Sequence, residues 1–373
     1  MLHTLLKTRS LVGHRFSPWR QCFSTSGSRR SSDPLRILFC GSDEFSCVSL
    51  KAVHEEHTRP NGVIESLDVM VFPPKRYGRG LKRVREVPCK QLAEDLDLRI
   101  HQRDTFREWE LPEGTNLVVA VSFGLFVPPR ILKSAKYGGL NLHPSLLPDL
   151  RGPAPVHHSI LHGRTHTGVS LQTLDDKAFD HGTVLAQTPA PGIPISPTIG
   201  VDELISQLAP VGAQMLVQGL RDGVYLPPHQ DAGWKGKDLE GQELVHAPKV
   251  TKADAEIDWD QWTGDEFVRR SRVLGTVWTQ AVDKKRVVRR LILKDVEVVS
   301  HDVTREQKFS ISFVTELGEG EETVKPERSV FGLEDGSCII PLSNGEQIRV
   351  GSIKEGGKLD RSAASFLRWF CES

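Results

Sequence analysis

Leu35-Arg36-Ile37-Leu38-Phe39-Cys40-Gly41-Ser42-Asp43-Glu44-Phe45 decides the fold of this chain. A six-residue run, apolar but for Arg36, leads to Gly41, and Asp43 stands where its side chain can cap a helix that begins near Glu44. A strand passing through a glycine turn into a helix N-terminus is the usual opening of a parallel α/β sheet. Further apolar runs at Leu67 to Phe72, Leu98 to His101, Asn116 to Val121, Leu140 to His143 and Gly168 to Leu174 alternate with helical segments up to about Ala190. The expectation is a Rossmann-like, mostly parallel sheet with helices on both faces. Free N–H groups at the first helix would suit a phosphate, but GxGxxG is absent, so this turn is read as backbone architecture and not as a dinucleotide site.

Downstream, Leu204, Leu208, Met215, Leu216 and Leu220 recur at helical spacing, with Pro210 expected to kink the helix and Gly223 to end it. Pro-rich and polar residues then mark a linker over 226–246. From about Arg286 the runs Val287 to Leu293, Phe309 to Thr315, Ser337 to Leu342 and Gln347 to Val350 are separated by Gly, Asn and Asp turns, which predicts a small antiparallel barrel. A closing helix is expected from Arg361 to Phe370 with Asp360 as its N-cap. The division is a leader at 1–33, an α/β domain at 34–225, the linker, and a barrel domain at 247–373.

A chain of 373 residues with 38% hydrophobic content can bury two cores. Up to Ser32 there are Lys7, Arg9, Arg15, Arg20, Arg29 and Arg30, many serines and no acid, with Leu2, Leu5, Leu6 and Val12 forming an apolar face. That composition fits a mitochondrial transit peptide; the alternative is a disordered basic terminus. Six of the 48 basic residues and none of the 48 acidic ones precede Asp33, so the remainder carries a net charge of −6. A protein of that charge that binds nucleic acid must concentrate its positive groups locally. The six cysteines show no CxxC or zinc-finger spacing, so reduced thiols are expected and no disulfide framework. No apolar run approaches the roughly 20 residues of a membrane span, so no membrane insertion is expected.

Asn141-Leu142-His143-Pro144-Ser145-Leu146-Leu147-Pro148 closes one strand candidate, and Asp180 follows at a distance. Asn141 and His143, two apart, project from one face of a strand end. An amide, an imidazole and a carboxylate within reach of one carbonyl are the parts of acyl transfer: Asn141 to hold an oxyanion, His143 to polarise the carbonyl or shuttle a proton, Asp180 to orient the imidazole or accept a proton. The bland alternative is that Asn141 and His143 only cap a strand. Ser145 invites a Ser-His-Asp reading but lacks the G-x-S-x-G elbow. His158 and His162 share a helix face at i, i+4, yet no H-E-x-x-H occurs; His157, His158, His162 and His166 are read as surface histidines and no metal is expected. Lys75-Arg76-Tyr77-Gly78-Arg79-Gly80-Leu81-Lys82-Arg83-Val84-Arg85 is too charged for a core and reads as a flap or a solvated loop. Between Arg269 and Lys294 nine basic residues face one acid, Asp283, which marks a second basic patch.

These segments, in this order, resemble the folate-dependent formyltransferases. The likeness rests on residues 35–45, Gly78-Arg79-Gly80-Leu81-Lys82, Ser122-Phe123-Gly124-Leu125-Phe126-Val127-Pro128, the stretch from Asn141 to Ala154 ending in Arg151-Gly152-Pro153-Ala154, Phe179-Asp180-His181-Gly182, and Ala247-Pro248-Lys249 through Trp259. It is strongest to organellar members that act on charged initiator tRNA. The resemblance implies 10-formyltetrahydrofolate as formyl donor and the α-amine of initiator methionyl-tRNA as acceptor, with Asn141, His143 and Asp180 catalytic. Phe123, Gly124, Leu125, Val127, Ser145, Leu146, Leu147 and Pro148 are implied around the folate. Arg76, Arg79, Lys82 and Arg83 on the flap, and Lys284, Lys285 and Arg286 on an OB-like barrel, are implied against the tRNA. A monomer in the mitochondrial matrix is expected. Alternatives are another folate-dependent formyltransferase, such as one acting on glycinamide ribonucleotide, a formyltetrahydrofolate hydrolase, or a non-catalytic RNA-binding protein. Two departures stand out: Asp149 where an arginine is common, and His181 where a threonine is common.

Overall fold

The computed structural model describes residues 32–235, 243–299, 305–317 and 321–371; the leader expected at 1–33 lies almost wholly outside the described residues, as does the middle of the linker. The chain opens with β1 (Leu35–Gly41), α1 (Glu44–His57) and β2 (Ile64–Val71). Asp43 caps α1, its Oδ1 accepting from Ser46 N at 3.0 Å. A short hairpin, β3 (Lys75–Tyr77) and β4 (Arg83–Arg85), precedes α2 (Pro88–Asp95) and β5 (Arg99–Gln102). Then come β6 (Leu117–Val121), α3 (Pro129–Ser134), β7 (Gly139–His143) and α4 (Pro155–Leu161). The remainder is β8 (His166–Thr167), β9 (Ser170–Thr173), β10 (Val184–Gln187), β11 (Ile193–Pro194) and α5 (Val201–Asp222).

The main sheet runs β10-β9-β7-β6-β1-β2-β5. Its five strands from β7 to β5 are mutually parallel. The run expected as a strand from Gly168 shortens to β9, which lies antiparallel to β7 and is joined by antiparallel β10. Antiparallel strands at the edge of a parallel sheet are common, and β10 is too short to announce itself by periodicity. Helices α1, α2, α4 and α5 share one core with the inward side chains of β1, among them Ile37 and Phe39. α3 covers the opposite face, where Leu38, Cys40 and Met70 pack with Ile131 and Leu132. Burying each such Leu, Ile or Phe is worth about 1.5–3 kcal/mol, which fixes the strand order and hence the ends of β6, β7 and β9 together. α5 continues through Pro210 and ends at Gly223, whose φ of 68 is the left-handed cap. Pro210 faces solvent, so water can satisfy the carbonyl left without its helical partner.

The chain continues with α6 (Gly264–Leu274), β12 (Val277–Val282), β13 (Val288–Val299), β14 (Gln307–Leu317), β15 (Glu321–Val324), β16 (Arg328–Gly332), β17 (Cys338–Pro341), β18 (Gln347–Glu355), β19 (Arg361–Ser362) and α7 (Ala363–Cys371), and a second core gathers side chains of α6, β12 to β14, β16 to β18 and α7. The order β12-β13-β18-β17-β16-β14 is closed by β14 pairing with β12, a six-stranded antiparallel barrel of OB-like form. It begins a strand earlier than the sequence suggested, at Val277. The closing helix starts two residues late. Arg361 and Ser362 pair with β18, and Asp360 binds Lys294 Nζ at 2.5 Å instead of capping α7.

Candidate active site

The C-terminal ends of β6 and β7, with Gln172 and Thr173 of antiparallel β9, border a cavity of about 610 Å³. Asn141, His143 and Asp180 all line it. Asn141 and His143 leave β7 on one face, as the period of two requires, and Asn141 is the cross-strand partner of Gln172 on β9. Asp180 arrives on the loop between β9 and β10. Its φ of 58 is left-handed, a conformation that aspartate tolerates better than most residues. Several bonds hold it there: Arg151 Nε donates to its backbone carbonyl at 2.8 Å, and Gly152 N donates to Oδ2 at 2.9 Å. Oδ1 accepts from Asn141 Nδ2 at 2.9 Å and from Gln172 Nε2 at 3.2 Å, with His143 Nδ1 at 3.4 Å.

His143 Nε2 lies 3.0 Å from the carbonyl of Leu150. A carbonyl can only accept, so Nε2 carries the proton and Nδ1, facing Asp180, is the nitrogen with a free lone pair in the neutral ring. Asn141 has two amide hydrogens and gives one to Asp180, leaving the other for a ligand oxygen. The cavity can therefore donate to an oxyanion from one side and hold a proton between imidazole and carboxylate on the other.

Phe123, Gly124, Leu125 and Val127 also line the cavity. Ser145, Leu146, Leu147 and Pro148 do not. Ser145 is fully buried, its Oγ donating to Asp149 O at 2.8 Å, which leaves no exposed nucleophile. Leu146 and Leu147 are core residues that shape the loop behind His143. That loop is held by a buried polar ladder. Ser170 Oγ donates to Ser145 O at 2.6 Å, and Gln187 Nε2 donates to Leu147 O at 2.8 Å. Sequence reading missed Ser170, Gln172 and Gln187, since a polar residue inside a short strand gives no pattern until the facing strand is known.

Asp149, one of the two departures, is buried and makes an ion pair with Arg164, Nε to Oδ2 at 3.2 Å. Its Oδ1 accepts from Val245 N at 2.9 Å. Leu150 N donates to Val245 O and Ala247 N to Arg151 O, so the far end of the expected linker and Ala247 just beyond it pair with the loop that follows His143 and hold the Leu150 carbonyl that faces His143 Nε2. His181 is exposed, with Nδ1 2.6 Å from Phe179 O. His158 corrects the surface reading: it is buried, and its Nε2 is 2.9 Å from Pro248 O. His157 lines the cavity, and burial, with His158 beside it, holds it below its ordinary value, which favours its neutral form. His166 is exposed. Among the described residues no group of three or more histidines, cysteines or acids is placed to hold a metal, and no helix is long and apolar enough to cross a membrane.

The basic stretch 75–85 forms the hairpin β3–β4, with Arg76, Lys82 and Arg83 exposed; the side chain of Arg79 lies outside the described residues. Lys284, Lys285 and Arg286 sit exposed on the turn from β12 to β13. The rest of the second basic patch is largely neutralised locally. Arg269 and Arg270 pair with Glu266, Arg289 with Asp283, and Lys294 with Asp360, while Arg290 stacks 3.8 Å from the Trp278 ring.

The formyl transferase family profile matches residues 35–220. The chain is 32% identical over 279 residues to the mitochondrial methionyl-tRNA formyltransferase of Bos taurus, covering 71% of this chain and 66% of that protein. It is 32% identical to the human mitochondrial enzyme, covering 69% and 61%. The Saccharomyces cerevisiae mitochondrial enzyme is 30% identical, covering 70% and 74%. The matches thus span just under two thirds of the bovine and human proteins. A sugar 3N-formyl transferase, WlaRD, solved with dTDP and 5-N-formyl-THF, shares the fold with a TM-score of 0.50 at 13% identity, over 88% of this chain and all of that one. The chain belongs to the formyl transferase family. Relatives that match it over most of its length include mitochondrial methionyl-tRNA formyltransferases.

Proposed function

We propose that the protein transfers the formyl group of 10-formyltetrahydrofolate to the α-amine of methionine on initiator tRNA, in the mitochondrial matrix. The observation that carries this is the meeting of Asn141, His143 and Asp180 at one end of a cavity walled by Phe123, Gly124, Leu125 and Val127. The amine nitrogen attacks the formyl carbon, and Asn141 donates its free amide hydrogen to the oxyanion that develops. The amine's proton passes to His143 Nδ1, where Asp180 stabilises the imidazolium. Collapse breaks the bond from carbon to N10 of the folate, and the same proton goes to that nitrogen. No metal is needed, because the charge that appears is met by amide and imidazole.

Residues 1–33 serve as the transit peptide, 34–225 as the catalytic domain, 226–246 as the linker and 247–373 as the tRNA-binding barrel. Arg76, Arg79, Lys82 and Arg83 contact the acceptor arm, and Lys284, Lys285 and Arg286 the tRNA body, through phosphate oxygens. Ser145 to Pro148 act on the folate indirectly, as the buried support of its pocket. The protein works as a monomer. The deciding assay mixes it with 10-formyltetrahydrofolate and charged initiator tRNA, charged elongator tRNA or glycinamide ribonucleotide. Formylation confined to the initiator is expected; preference for the ribonucleotide overturns the reading. A reporter fused to residues 1–33 should enter mitochondria, and diffuse signal would remove the localisation.

A further inference from the structure

Gln172 is 1% exposed, lines the cavity and faces Asn141 across the strand pair. Its Nε2 donates to Asp180 Oδ1 at 3.2 Å, which fixes the orientation of the amide, because a carboxylate cannot donate. Oε1 is then left buried with no hydrogen-bond partner. A buried carbonyl left unpaired costs roughly 1–3 kcal/mol, so it persists where something repays it. The groups that hydrogen-bond Asp180 beside Gln172 are all donors, Asn141 Nδ2, Gly152 N and Arg151 Nε, while His143 Nδ1 presents its lone pair 3.4 Å away. Oε1 is a second neutral acceptor beside His143 Nδ1, and an attacking amine brings more than one N–H group that needs an acceptor to aim its lone pair.

Resting on the proposed amine chemistry, we infer that Gln172 is a further working residue of the site, positioning Asp180 through Nε2 and receiving an N–H of the incoming amine at Oε1. The polar groups of the site then separate by task. Asn141 serves the formyl oxygen, His143 and Asp180 the proton, and Gln172 the direction of the nucleophile. A glutamine in the middle of a short strand carries no such signal in the sequence.

The test uses the full protein with Gln172→Met, which keeps the volume and removes both polar contacts, and Gln172→Glu, which keeps an acceptor but sets a second carboxylate against Asp180. Steady-state kinetics with charged tRNA and folate varied separately are read beside thermal unfolding and folate binding. Gln172→Met should lower kcat/KM for the amine substrate roughly 10-fold to 100-fold, in the range of positioned polar groups, with folate affinity within about twofold and melting unchanged or raised. Gln172→Glu should be at least as impaired. Wild-type kcat/KM in Gln172→Met, a loss confined to folate binding, or a loss tracking a lowered melting temperature overturns the inference. Inactivity of the wild-type protein on every amine offered would instead overturn the proposed function, so the two failures read differently.

Discussion

His143 Nδ1 and Asp180 Oδ1 stand 3.4 Å apart, and both side chains are less than a tenth exposed. In a site this dry, water would screen little of the attraction between Asp180 and an imidazolium formed at His143 during the reaction. Asn141→Ala and His143→Ala should each lower turnover by roughly 10² to 10³, since each removes an interaction that matters chiefly in the transition state. Asp180→Asn should be comparable, because an amide cannot stabilise the imidazolium. Single-turnover formylation together with folate binding checks this; retention of more than about half the wild-type rate in all three variants would place the chemistry elsewhere.

Gly152 ties the carboxylate side of the cavity to the segment at Ala247. Its φ is 122, and a Cβ there would lie 2.4 Å from the carbonyl oxygen of Ala247, a backbone atom that cannot swing away. Gly152→Ala should therefore cost about 2 kcal/mol or more, and should pull Gly152 N from Asp180 Oδ2. Chemical denaturation and kcat should fall together; a variant of unchanged stability and rate would show that the loop accommodates a methyl group.

Asp149 anchors the same segment from the other side. Removing it leaves Arg164, whose side chain is 20% exposed, without its partner carboxylate and releases Val245 N. Asp149→Ala should destabilise by about 2–4 kcal/mol, below the full penalty for a buried pair because Arg164 retains some water. Activity should fall further than in Asp149→Asn, which keeps an acceptor for Val245. Equal activities for the two variants would detach this anchor from catalysis.

The Glu56–Arg221 pair joins α1 to α5 and sets a pH dependence. Burial pushes the Glu56 carboxyl up, but Arg221, Val63 N and Arg59 outweigh it, so it sits below the ordinary value of 4.5. A depressed carboxyl contributes stability above its unfolded value and loses it as pH falls through the folded one. Glu56→Gln should thus cost roughly 1–3 kcal/mol at pH 7, the exposure of Arg221 keeping it modest, and little well below pH 4. Melting curves from pH 3 to 7 should converge at the acid end, within the usual span of carboxylate titration. Parallel curves would assign the loss to packing.

Neutralising Lys284, Lys285 and Arg286 on the β12–β13 turn should weaken tRNA binding and flatten its dependence on salt by about one unit of log-log slope for each phosphate that is no longer neutralised. Turnover at saturating tRNA should hardly change. A wild-type slope in the triple variant would move the tRNA off this turn.

Leu35 to Phe45 determined the parallel sheet by itself, because an apolar run, a glycine turn and a capping aspartate are all local signals. Asn141, His143 and Asp180 were legible because their spacing around Pro144 and Gly182 is a motif, and the apolar run before Asn141 placed two of them on one strand face. The barrel was legible in its turns, but β12 was not, since Val277–Val282 gains its register only from β13 and β14. Tertiary structure alone decided three further things. Gln172 reaches Asp180 because β9 runs antiparallel to β7 and sets it opposite Asn141. Ser145 proved to be loop support because Asp149 O and Ser170 close around it. Val245, expected in the linker, and Ala247, expected to open the second domain, instead pair with the loop from Leu150 to Ala154 beside the cavity. In each case the partner lies 20 or more positions away or its bond depends on a folded turn, and no local pattern encodes which distant backbone will satisfy a given polar group.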